Sequence, residues 1–200
     1  TGVTPTNVQV KAETGYGSNL VQPLRIGPVV LFIPKGGRQL RELTYSFDLD
    51  SYVAPDLTLL AEHLTTGGLE ELAYRAEPDP IVFVVTGDGR LLGLTYDRSQ
   101  DVVGWHQHTT DGAFESVAVI PHPQGDRDQV WVSVRREIAG DPVRYVEVLD
   151  DAVGYYADYG GLQVDSALTY DGPPASTFSG LDHLAGKAAT IVGDGAVYVP

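Results

Sequence analysis

Apolar and polar positions change over short stretches along most of this chain, and long amphipathic periods are rare. Val29–Ile33 is a β-branched apolar run closed by the turn signal Pro34-Lys35-Gly36-Gly37, which predicts a strand. From Arg38 to Phe47 two parities separate, with Leu40, Glu42, Thr44 and Ser46 on one and Arg41, Leu43, Tyr45 and Phe47 on the other. The second set is mostly large and apolar, so it is expected to face the core, and the two strands to form a hairpin. Pro55–Leu64 carries the clearest helical stripe: Leu57, Leu60, Ala61 and Leu64 fall at i, i+3, i+4 and i+7. Pro55 suits a first helical turn and Gly67-Gly68 a stop. A second short helix is predicted over Leu69–Ala76, ended by Pro78 and Pro80.

After residue 80 the pattern is that of strands. Ile81–Val85, Leu91–Tyr96, Val102–His108 and Ala113–Ile120 are joined by turns at Gly87-Asp88-Gly89 and Thr110-Asp111-Gly112. Four strands in roughly forty residues, with Trp105 near the third, is the size of one propeller blade. Val130–Val134 and Tyr145–Leu149 are expected to begin another. The fold class expected is therefore mainly β, made of propeller-like antiparallel meander blades with one or two short helices near residues 55–76. Three units are expected: 1–80, an N-terminal hairpin plus helices; 81–150, the meander; and 151–200, the start of a further small β domain. Tyr and Gly are dense at the last boundary, from Asp151 to Gly161.

Composition narrows the function classes. Two hundred residues suffice for one good-sized core or two small ones. The chain has no Cys, which excludes disulfides, thiolate metal sites and cysteine nucleophiles. Pro28–Pro34, its longest apolar run, falls far short of the ~20 residues that span a bilayer. Thirteen Lys and Arg against 27 Asp and Glu give a net charge of −14. That balance opposes tight binding to a polyanion, and the basic clusters Lys35–Arg41 and Arg135-Arg136 are small. With no Met anywhere and an end on Val197-Tyr198-Val199-Pro200, the sequence is expected to be a piece of a longer polypeptide.

The candidate chemistry is sparse. His106 and His108 stand two apart on a predicted strand, so their rings leave the same face and could share a metal completed by Asp111 or His122. The alternative is two imidazoles bonded within the sheet. His63 beside Glu62, and His183, have the residue type for acid–base work or for local capping. The carboxylate pairs Asp48/Asp50, Glu77/Asp79 and Asp150/Asp151 sit in loops or at strand ends, where acids are ordinarily solvated. No nucleophile elbow or phosphate loop is present, and Gly87-Asp88-Gly89 and Gly193-Asp194-Gly195 read as hairpin turns rather than calcium loops. Arg135-Arg136-Glu137 and Arg144–Glu147 set opposite charges on neighbouring strands, able to pair across the sheet or to face another subunit. No catalytic, cofactor or metal residue is assigned, and the chain is not expected to be an enzyme.

Several stretches in order resemble one family. They are Pro28–Phe32 with Gly36–Tyr45; Tyr52 with Ala54–Leu64; Asp88–Tyr96; Val103–Gly112 running into Glu115–Pro121; Asp128–Arg135; Arg144–Glu147; and Leu181–Lys187 before Gly193–Gly195. Together they resemble the tail nozzle, or tail tubular protein B, family of short-tailed bacteriophages and prophages, over about residues 15–195. The Trp105–Gly112 stretch is the most specific. The resemblance implies a non-enzymatic component of a longer protein. It would form a sixfold ring of β-rich, partly propeller-like domains around the channel through which DNA leaves, with DNA passing but not tightly held. It also implies contacts with other tail proteins, residence in the virion tail after synthesis in the bacterial cytoplasm, no membrane insertion, and no catalytic residues or cofactor. A different expectation is a carbohydrate-binding or glycan-processing β-propeller, which would use Trp105, Trp131, Tyr155, Tyr156 and Tyr159 as stacking surfaces.

Overall fold

The structure is a computed structural model and describes residues 4, 6–8, 12, 14–149, 165–193 and 196–199. Thirteen strands are ordered along the described chain. The first four, β1 (Leu24–Ile26), β2 (Val29–Phe32), β3 (Arg41–Ser46) and β4 (Ser51–Val53), form one antiparallel meander. The next four form a second: β5 (Leu69–Arg75), β6 (Ile81–Thr86), β7 (Leu91–Asp97) and β8 (Val102–His108). A third contains β9 (Ala113–Pro121), β10 (Asp128–Ile138) and β11 (Asp141–Leu149), and β12 (Ile191–Gly193) pairs with β13 (Ala196–Tyr198). Among the described residues the only helix is a 3-10 turn at Asp182–Leu184. The expectation of a mainly β chain of meander sheets is met.

The first three sheets are stacked, and two cores separate them. One core joins Val29 and Leu31 of the first sheet, with Ile33 and Leu40 of the β2–β3 connection, to Leu72, Val82, Val84, Leu92 and Leu94 of the second. The other joins Ala73, Phe83, Val85 and Leu91, on the opposite face of the second sheet, to Phe114, Val117, Val130, Val132 and Val134 of the third. The middle sheet is thus covered on both sides, which is why β6 reads as an unbroken Ile-Val-Phe-Val-Val run instead of alternating. Consecutive meanders laid face on face are the arrangement of propeller blades, here an open stack of three rather than a closed ring.

Both predicted helices are overturned. Leu69–Arg75 is β5, with Tyr74 opposite Val82 and Ala73 opposite Phe83 in register. Its residues suit a helix, but pairing and burial on both faces outweigh that local preference, and two-sided burial erases the period-2 signal. Pro55–Leu64 is a chain of turns. Asp56 bridges to Arg41 and the Leu57 amide donates to the Leu40 carbonyl, which ties the start of the segment to β3. Ala61 and Leu64 then bond three residues back, to Thr58 and Ala61. Leu57 and Leu64 pack on the first core as the stripe suggested and Ala61 is buried, but Leu60 is left exposed.

Two smaller expectations also change. The face of β3 chosen for the core is the wrong one: Leu40 and Glu42 are fully buried, whereas Tyr45 and Phe47 are exposed. The blade boundary moves by one strand, since β5 joins the second sheet and Ala113–Pro121 opens the third. The division expected after residue 80 therefore falls between two paired strands, β5 and β6. The hairpin of β2 and β3 forms as expected, with Val30 opposite Leu43.

Candidate functional site

β8 carries the histidine pair. Gly93 lies opposite His106 and Leu91 opposite His108, so both rings point toward the third sheet. Gly93 gives His106 its space: a Cβ there would collide with the Nε2 of that ring. The two imidazoles meet edge to face with centroids 5.0 Å apart, and His108 packs on the Phe83 ring at 5.7 Å. The buried Arg75 guanidinium lies over the same ring, 5.7 Å from its centroid. Burial lowers both histidines, with Arg75 adding to the effect on each; for His108 the neighbouring His106 adds as well, and it falls to about 4. Among the described residues the buried His108 Nε2 has no hydrogen-bond partner. These are packed rings whose protonation is opposed by burial and by the Arg75 cation. Asp111 is held instead by Lys187 at 2.7 Å, and His122 accepts the Gln124 amide within the β9–β10 turn. Among the described residues no group of three or more His, Asp or Glu is placed to hold a metal.

At the adjoining end of the stack the loops converge. The β6–β7 turn is closed by the Gly89 amide on the Thr86 carbonyl, and Asp88 takes the Thr86 hydroxyl and the Arg90 guanidinium. Those bonds, Arg90 foremost, hold the Asp88 carboxyl below its usual range. Gly89 has φ +82° and abuts Ala113, so the hairpin reading of Gly87-Asp88-Gly89 stands. Between this turn and the β8–β9 turn lies a shallow cleft of about 130 Å³, bordered by Arg90, Gln107, His108, Thr109 and Phe114.

The densest polar group is built around Arg136. Its side chain is 4% exposed and forks onto Glu147 with two bonds of 2.7 Å. It also donates to Asp165 and to the Asp111 carbonyl. Asp165 in turn accepts the Thr110 hydroxyl and the Asp111 amide. Burial works against charge on Asp165, but Arg136 and these donors outweigh it and keep its carboxyl below the ordinary range. One guanidinium thus ties β10, β11, the β8–β9 turn and the stretch at Asp165. The pairing of Arg136 with Glu147 was legible as opposite charges on neighbouring strands. Asp165 was not, because nothing local marks it.

The other sequence-predicted residues fall in structural roles. His63 is exposed in the turn segment. His183 Nε2 lies 2.9 Å from the Ser166 carbonyl, and its ring packs edge-on to Tyr145. Asp79 pairs with Arg75, Asp50 with the Tyr45 hydroxyl, and Asp48 sits at the tip of the β3–β4 hairpin. Asp150, Asp151, Tyr155, Tyr156 and Tyr159 lie outside the described residues. Trp105 donates its indole N–H to the Leu57 carbonyl at 2.8 Å and packs on the first core, which removes it as a stacking surface. Sequence reasoning missed Glu42, whose carboxylate is wholly buried in the first core with the Arg98 Nε 3.2 Å away. Burial, with the Glu42 charge second, pushes the adjacent Tyr96 hydroxyl well above the tyrosine range.

No family model matches the chain, and no curated protein matches it. Among the described residues no helix is long and apolar enough to cross a membrane.

Proposed function

We propose that this chain is a structural segment of a short-tailed phage or prophage tail, part of the nozzle ring around the DNA exit channel. The observation that carries the reading is the stack itself. Three consecutive meanders share two cores, and apolar side chains remain exposed on both end faces, as a building block made to sit among neighbours would have them. The order of the motifs resembling the tail tubular protein B family supports the same reading. The charge of −14 suits a channel wall, because like charge keeps passing DNA from adhering. In this reading copies associate in a sixfold ring, other tail proteins flank it, and the protein resides in the virion after synthesis in the host cytoplasm.

The experiment is peptide mass spectrometry on density-purified particles from the strain that carries the gene, with the gene's neighbours sequenced alongside. Peptides of this chain at a stoichiometry near six per particle, with portal or tail genes beside its own, are the expected result. Particles that lack the chain would overturn the reading.

A further inference from the structure

The two end faces of the stack are unlike each other, and both are apolar. At one end the β3–β4 hairpin projects a knob. Tyr45 and Tyr52 are paired in register and packed edge to face, Phe47 packs on Tyr45, and Phe47 and Leu49 are 90% and 66% exposed. Asp48 and Asp50 stand at its tip. At the other end lies the outer face of the third sheet. Trp131 lies between Ala118 and Val148 in register, and Val146 stands two pairs along on the same face, opposite Ser133. Val146, Ile120 and Val148 are 74%, 46% and 44% exposed.

Arg135 and Arg144, directly opposite each other, border this apolar face. Glu115 bridges the two guanidiniums, and Glu137 lies further along β10. The face is therefore close to neutral on a molecule of −14. At its border the Arg135 and Arg144 side chains, 47% and 65% exposed, share the one less exposed carboxylate of Glu115, which leaves local positive charge able to meet an acidic tip. The knob cannot reach this face on its own molecule. The middle sheet and two cores lie between, and each sheet spacing is roughly 10 Å.

We propose that the aromatic hairpin Tyr45–Tyr52 of one copy docks on the outer face of the β9–β11 sheet of a second copy, with Phe47 against Val146 and Asp48 toward Arg144. The contact uses different surfaces on the two copies, so it is heterologous and propagates into a ring or a filament. This deepens the tail-ring reading by naming where copies meet.

The absence of Cys makes a clean test possible. Phe47→Cys and Val146→Cys are made separately in the full chain, with Gln100→Cys on the exposed β7–β8 turn as the control. Unchanged melting of each variant shows that it folds. The variants are mixed pairwise under mild oxidation at 0.15 M salt, where the Debye length is about 8 Å. Phe47→Cys with Val146→Cys is expected to give disulfide dimers at least tenfold faster than either variant alone or with the control. A chain carrying both substitutions is expected to give a ladder of multimers. Sedimentation of the same samples separates the two ways of failing. Association without the selective cross-link overturns this interface and leaves the ring reading intact. A monomer at every concentration overturns the interface, and the ring reading then stands or falls on particle composition alone.

Discussion

At the scale of single residues, the polar groups that look most like chemistry act in folding. Arg136 shows this best, because its five donors reach three other segments of the chain, at Glu147, Asp111 and Asp165. Arg136→Ala leaves Glu147 and Asp165 facing each other without the cation. The expected loss is about 3 kcal/mol, at the low end for breaking a buried pair because both carboxylates are partly exposed. A urea midpoint shift reads it directly.

The histidine pair makes a second residue-scale prediction. An unfolded histidine takes its proton near 6.5, whereas folded His108 does so only near 4 and His106 also lies below its ordinary value. Between those limits the unfolded chain binds more protons than the folded one. The contribution is thus whole above about pH 6.5 and is lost as pH falls toward 4. The expected outcome is a melting temperature that declines over that window, and a decline that shrinks in a His106→Gln/His108→Gln variant. Asp165 and Asp88 have lowered carboxyls, so the stability they add is lost only at lower pH, and the two effects separate.

At the scale of elements, β5 is the informative one. It was legible as a secondary-structure element ended by Pro78 and Pro80, and illegible as a strand. Leu72 and Tyr74 serve one core while Ala73 serves the other, so apolar residues follow each other and the two-residue period disappears. β5 also crosses between layers. Its Glu71 carboxylate accepts the Val117 amide of β9 at 2.9 Å, near the irregular pairing at Leu69/Glu71. Glu71→Ala should cost about 1–3 kcal/mol by orphaning a half-buried amide, and Glu71→Gln, which keeps an acceptor, distinctly less. Thermal melts of the two variants check this. β3 teaches a related lesson. Its larger apolar residues point outward and the smaller face with Glu42 points in, because the neighbours of the sheet, and not side-chain size, decide which face is covered.

At the scale of the whole molecule, stability should follow depth in the stack. β6 lies inside its sheet and is buried on both faces, whereas β4 and β11 are edge strands of outer sheets. Hydrogen exchange is expected to be slowest at Val82–Val85 and fastest along β4 and β11, with β7 near the slow end. Equal protection of β4 and β6 would contradict the layered picture.

What the chain's own order of residues determined is the material and its punctuation. The strand class, most strand positions after residue 80, the β2–β3 hairpin, the Asp-Gly turns and the absence of thiol chemistry all follow from local pattern and composition. These properties depend on neighbours in sequence, through backbone preference and turn geometry. Tertiary structure alone decided which face of β3 is buried, that Leu69–Arg75 is a strand, where one meander ends and the next begins, and that residue 165 closes on Arg136. Each of these depends on a partner 10 to 50 residues away in the chain, such as Phe83 beyond Ala73 or Arg136 before Asp165. Burial and charge pairing between such partners outweigh local preference only once the layers have met.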